Sequence, residues 1–139
     1  LFKLEDFEPL WYRVEIRAQQ IAKSLTKEHT VHILRSLSHA LNHRMWGEEK
    51  TFVTLEPNIL SNINEMEDRD VTYAMFAYSI RKSGNPELYK AFNERLAKMA
   101  GNLDYPSLFN AIYYMLFTEN TDRAIWEKLI EATVNNPTI

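Results

Sequence analysis

Val71, Ala74, Met75 and Tyr78 fall on one helical face, with the spacing i, i+3, i+4, i+7. Adding 37 to each number, without a gap, gives Leu108, Ala111, Ile112 and Met115; subtracting 37 gives Leu34, Leu37, Ser38 and Leu41. Only Ser38 interrupts the apolar match. The register continues into a following segment, where Phe52, Leu55, Ile59 and Met66 match Tyr89, Phe92, Leu96 and Leu103, and Trp126, Leu129 and Thr133 come next at the same offset. Trp11, Val14, Ala18 and Leu25 repeat that second pattern 41 residues before Phe52. Self-similarity of this length marks an array of like units.

The pattern predicts an all-α chain of seven helices, at about 8–24, 28–45, 50–64, 69–83, 86–100, 105–118 and 122–134. Short connections make consecutive helices antiparallel. The expected arrangement is one helical-repeat domain over 1–139, with an unpaired helix at about 8–24 followed by stacked hairpins at about 28–64, 69–100 and 105–134. Gly47 and Gly84 match where a left-handed helix end is expected. Glu48, Asn85 and Asp122 match at the start of the next helix, and Pro86 suits a first helical position. Pro57 is awkward inside its helix, which is expected either to start late, near Thr54, or to kink. Thr133, polar where the repeat calls for an apolar residue, reads as the end of the array.

Each first helix of a hairpin has a second face about half a turn away. It carries Tyr73, Phe76 and Ile80 in the second hairpin and Asn110, Tyr113 and Phe117 in the third; the equivalent positions in the first are Ser36, His39 and His43, one turn after His32. Helices that are apolar on both sides need cover on both. Either the domain's own second layer supplies it, or these nine residues line a groove that accepts a partner's helix or extended peptide.

Composition supports a packed helical domain. The 139 residues are 45% hydrophobic and 25% charged, enough for a core and unlike a disordered chain. Only 3 Gly and 5 Pro argue against a turn-rich β-sandwich. With 16 Lys+Arg against 19 Asp+Glu the net charge is -3, and no basic run is present, so nucleic acid is disfavoured as a partner. Cysteine is absent, which removes disulfides, thiol catalysis and thiolate metal sites. The longest apolar stretch, around 111–117, is too short to span a bilayer. The chain opens on Leu1 rather than Met, as expected of a trimmed or processed fragment, so any membrane contact is expected through an anchor upstream of it.

Candidate chemistry is sparse. His39 and His43 have the i, i+4 spacing that can hold one metal ion, but no carboxylate or thiolate completes a motif, and EHTVH is not HExxH. The histidines, with His29 at the margin, read as a solvated or partner-facing stripe. Glu65, Glu67, Asp68 and Asp70 lie where a helix begins, and dipole complementarity accounts for them better than acid–base work. Three isolated glycines make no phosphate-cradling loop. The expectation is a protein that is not an enzyme and carries no cofactor and no metal.

The 37-residue hairpin period resembles the tricopeptide-type repeats: the tetratricopeptide, pentatricopeptide and heptatricopeptide families, the last two organellar in their typical use. The resemblance covers Trp11 to Thr133 and is architectural. The tetratricopeptide pattern W-x2-L-G-x2-Y is not met, since the segment from Leu34 to Leu41 lacks the Trp and the Gly, and no recurrent Lys/Asn set is present to clamp a peptide carboxylate. An all-helical, seven-helix, cysteine-free domain of this size is also similar to the soluble part of a trypanosomatid mitochondrial membrane-anchored protein. That likeness implies a mitochondrial location, an anchor outside this sequence and a role through protein partners. The leading expectation is a protein–protein interaction or scaffold domain. The alternative is an organellar RNA-binding array in which Ser36, Tyr73 and Asn110 each face a base and Tyr113 stacks on one. A third reading is self-association through the apolar face, giving a symmetric dimer.

Overall fold

A computed structural model describes the backbone of residues 4–42 and 48–137 and, within these, the side chains of 9–39 and 48–137. All seven expected helices are present: α1 (Leu4–Ile21), α2 (Lys27–Asn42), α3 (Glu49–Asn62), α4 (Asp68–Arg81), α5 (Pro86–Met99), α6 (Tyr105–Phe117) and α7 (Arg123–Val134). Short 3-10 turns at Ala22–Ser24 and Ala100–Asn102 extend α1 and α5. No strand occurs among the described residues.

Helix starts follow their caps. The Asn85 side chain accepts from Leu88 N–H, Asp104 from Ser107 N–H, and Asp122 from the N–H groups of Ala124 and Ile125. Pro86 and Pro106 occupy first-turn positions where no N–H is needed. The acidic group lies at the entrance to α4, with Glu67 at the N-cap position and Asp68 and Asp70 in the first turn. Two of the expected boundaries shift. α1 begins four residues early and runs through Pro9. α3 begins at Glu49 and continues through Pro57, so the late start near Thr54 is not adopted. Pro57 is exposed, and the carbonyl it leaves without an i+4 donor belongs to Val53, also exposed, so water can take the lost bond.

The helices form two layers. α2, α4 and α6 pack side by side in one, with α4 closely packed against both neighbours; α1, α3, α5 and α7 follow one another in the other. Each of the hairpins α2–α3, α4–α5 and α6–α7 spans both layers, which is the stacked arrangement expected from the 37-residue period. The core runs between the layers as a continuous cluster that includes Leu34, Leu37, Phe52, Ile59, Met75, Phe92, Leu108 and Leu129. An aromatic ladder crosses it from hairpin to hairpin. Tyr78 meets Phe52 edge-on at 4.9 Å between ring centroids and Phe92 at 6.1 Å; Phe92 meets Tyr114 at 5.9 Å. The Tyr78 hydroxyl donates to Phe52 O at 2.5 Å, tying α4 to the backbone of α3.

The same loop is built twice. Lys82 and Glu119, 37 apart, both take left-handed backbone (φ 53° and 50°). One residue further, Ser83 N–H reaches Tyr78 O and Asn120 N–H reaches Met115 O. Gly84 has φ 108°, and a Cβ there would come within 2.9 Å of the Tyr89 ring, so glycine is required. Its counterpart Gly47 lies outside the described residues. Tyr89 and Trp126 close these loops: the Tyr89 hydroxyl donates to Ser83 O at 2.5 Å and to Tyr78 O at 3.2 Å, and Trp126 Nε1–H donates to Asn120 O at 2.7 Å.

A third device recurs and was not expected from the sequence. Buried Glu15 accepts from Glu48 N–H at 2.7 Å and from the Thr51 hydroxyl at 3.0 Å. Buried Glu56 accepts from Asn85 N–H at 2.7 Å. These carboxylates are 41 residues apart and the amides they hold are 37 apart, the same offsets as the apolar repeat. At the next position the residue is Asn93, one methylene shorter. Its Oδ1 accepts from Asn120 Nδ2 at 3.0 Å, and Asn120 Oδ1 accepts from Asp122 N–H at 2.9 Å, so a second amide completes the reach. Each buckle joins a helix of one hairpin to the loop of the next.

Candidate protein-binding face

α2, α4 and α6 turn their second faces to the same side of the layer, and the nine candidate residues separate into three groups. Ser36 and His39 are exposed on α2, and with half-buried Tyr73 they border a depression of about 400 Å3 between α2 and α4. Arg35 crosses its edge to pair with buried Asp70 at 2.6 Å, which fixes the spacing of the two helices. His43 lies outside the described residues.

The second group is aromatic. Tyr113 packs against Phe76 at 6.0 Å, Phe109 at 4.4 Å and Phe117 at 5.6 Å. Tyr113 and Phe117 are exposed, Ile80 is half-buried, and Phe109 adds a further exposed ring. The third group corrects the expectation: Phe76 is 2% exposed and Asn110 is 6% exposed, so neither offers surface to a partner. Phe76 is roofed by Phe109 and Tyr113, because α6 packs closely on α4. Asn110 was also one of three positions read as facing a base, and its burial removes that surface from the RNA reading.

Phe109 was missed by the sequence reading. Its counterparts one and two repeats earlier are Thr72 and Arg35, so comparing repeats hid it, whereas the 109, 113, 117 spacing within α6 would have revealed it. A smaller apolar groove of about 170 Å3 lies between α1 and α2, lined in part by Trp11, Val14, His32, Ile33 and Ser36. Val14, expected in the core by its repeat position, is 50% exposed there. Its counterpart Leu55 is covered because α3 has α2 before it as hairpin partner, and α1 has no such partner among the described residues.

Among the described residues no three His, Cys, Asp or Glu side chains gather as a metal site. Burial pushes the hydroxyls of Tyr78, Tyr89 and Tyr114 above their usual range, so they serve as fixed donors and not as proton-transfer groups. Burial likewise raises the Glu15 carboxyl, against the lowering effect of Glu48 N–H and the Thr51 hydroxyl. No described helix is long and apolar enough to cross a membrane. No protein-family model, curated protein or solved structure matches the chain.

Proposed function

We propose that this chain is a non-catalytic protein–protein interaction or scaffold module of the stacked-hairpin kind, and that partners dock on the α2–α4–α6 layer. The observation that supports it is the composition of α6. Residues 105–117 include no charged side chain, yet Phe109, Tyr113, Leu116 and Phe117 are exposed. Isolated exposed apolar residues are ordinary on a protein surface, but a contiguous run with touching rings is a feature of interaction sites. Aromatic anchors carry much of the binding energy at such sites. The adjoining depression around Ser36, His39 and Tyr73 supplies polar groups at its rim, as interfaces commonly do.

The test is affinity capture with mass spectrometry, comparing the natural chain with Tyr73→Glu and Tyr113→Glu. Both positions accept a charge without entering the core. The expected outcome is a protein partner lost from at least one variant while circular dichroism shows the helices intact. Capture unchanged in both variants would remove this layer as the docking face. Mitochondrial membrane anchoring is a separate part of the proposal and rests on the architectural resemblance; a full-length fusion found only in the cytosol would end it.

A further inference from the structure

The junction between neighbouring helices of the α2–α4–α6 layer is built twice, and only one copy is closed. Arg35, Ser36, Ser38, His39 and Tyr73 border the depression of about 400 Å3 between α2 and α4. Their counterparts between α4 and α6, 37 residues on, are Thr72, Tyr73, Met75, Phe76 and Asn110, and all but Tyr73 are buried. There the space is filled by rings: Phe76 packs against Phe109 at 6.4 Å and Tyr113 at 6.0 Å. At α2–α4 the same three positions carry His39, Thr72 and Phe76, so two of the rings are missing. Both walls, α2 and α4, are described helices, and the opening belongs to their junction and not to an end of the array.

The border of the depression is rich in donors. Arg35 gives Nε and Nη2 to Asp70 Oδ1, each at 2.6 Å, and its Nη1 has no partner among the described residues. Ser38 is 2% exposed, and its hydroxyl makes no hydrogen bond among the described residues. A buried polar group left unpaired is costly, so each such group needs an account. Ser36, His39 and Tyr73 add a hydroxyl, an imidazole and a phenol. No carboxylate borders this depression; Glu65, Glu67 and Asp70 line a separate hollow that shares only Arg35 with it. A cavity of about 150 Å3 can hold benzene, so there is room here for a ring and a polar group beside it.

We propose that the α2–α4 depression takes an aromatic side chain flanked by carboxylates, presented by an extended segment of a partner protein. The ring fills the space that rings fill at α4–α6 and packs against Tyr73, while a neighbouring carboxylate accepts from Arg35 Nη1 and the Ser38 hydroxyl. The inference rests on the interaction-module reading and names what the partner must present.

Backbone amide NMR with capped tripeptides tests it, in titrations to about 10 mM because so small a ligand binds weakly. Acetyl-Glu-Phe-Glu-amide is expected to shift the amides of Ser36, Ser38, His39 and Tyr73. Acetyl-Gln-Phe-Gln-amide, which lacks the charge, and acetyl-Glu-Ala-Glu-amide, which lacks the ring, are each expected to bind at least about tenfold more weakly. His39→Phe installs the ring that position 76 carries and is expected to abolish the shifts with helical circular dichroism unchanged. Ser36→Glu changes an exposed residue and is expected to weaken the acidic peptide at least about tenfold, with the uncharged one unaffected. No response at these amides overturns the proposal, as does a response that survives loss of the ring or of the charge, or one indifferent to both substitutions. No peptide response together with a captured partner lost through Tyr113→Glu overturns this site and leaves the interaction module standing. A peptide response with no protein captured supports the site and counts against the module.

Discussion

Glu15 shows how one buried carboxyl can be both a fastener and a cost. It holds the Glu48 N–H and the Thr51 hydroxyl, and Gln19 donates to the same threonine oxygen at 3.0 Å. Burial nevertheless outweighs these bonds and raises its pKa above the ordinary carboxyl value of 4.5. The folded chain therefore holds this proton more tightly than the unfolded chain does. Glu15 accordingly contributes most to stability at low pH, and that contribution declines as pH rises from 4.5 through the raised value. Glu15→Gln keeps an oxygen acceptor and removes the charge. Urea unfolding followed from about pH 4 to 7 is expected to show the natural chain losing stability relative to the variant as pH rises; parallel curves would acquit the carboxyl.

Tyr89 and Trp126 act at the level of the hairpin, where a ring on the second helix fastens the loop that precedes it. Tyr89→Phe retains the stacking on Tyr114, at 6.2 Å and 11° between the rings, and loses the bonds to Ser83 and Tyr78. Its expected cost is about 1 kcal/mol, that of a typical hydrogen bond. Tyr89→Ala also removes the ring from the core edge and is expected to cost about 3–5 kcal/mol by thermal or urea unfolding. Equal losses in the two variants would mean that the hydroxyl alone matters and that the ring does not pack.

What the sequence revealed at this level follows from the physics. Helices, caps and the 37-residue offset were legible because periodicity and capping are local properties, read from residues a few positions apart. The burial of Phe76 and Asn110 was not, because it depends on how closely α6 approaches α4. Nor was the exposure of Val14, which reflects that no described helix precedes α1 as a hairpin partner. Glu15, Glu56 and Asn93 escaped notice because polar residues at helical positions read as surface until a loop amide is found beside them. Of the candidate face, Ser36, His39, Tyr73, Ile80, Tyr113 and Phe117 reach at least partial exposure; Phe109, exposed beside them, was hidden because its repeat counterparts are Thr72 and Arg35.

Across the whole molecule, each helix makes its main contacts with its hairpin partner and with the helices two places before and after it. Stability in such an array is a sum over units and junctions, and the units with neighbours on both sides are the firmest. α4, flanked by α2 and α6 and pinned through Tyr78 and Asp70, is expected to show the slowest amide hydrogen exchange; α1 is expected to show the fastest among the helices. Mass spectrometry of exchanged peptides would read the order directly, and a uniform rate along the chain would mean that the array unfolds as one cooperative block.

The buckles carry a consequence for how the chain is made. Each joins a side chain to a loop only about one repeat further on: Glu15 to Glu48, Glu56 to Asn85, Asn93 through Asn120 to Asp122. A chain emerging from the ribosome can thus latch each hairpin onto its predecessor as soon as the next loop appears, without waiting for distant segments. At every stage the newest hairpin presents an uncovered apolar surface, and the arrival of the following one conceals it. The aromatic surface of α6 is of the same kind: none of the described helices conceals it, and it is the face on which a following unit would close.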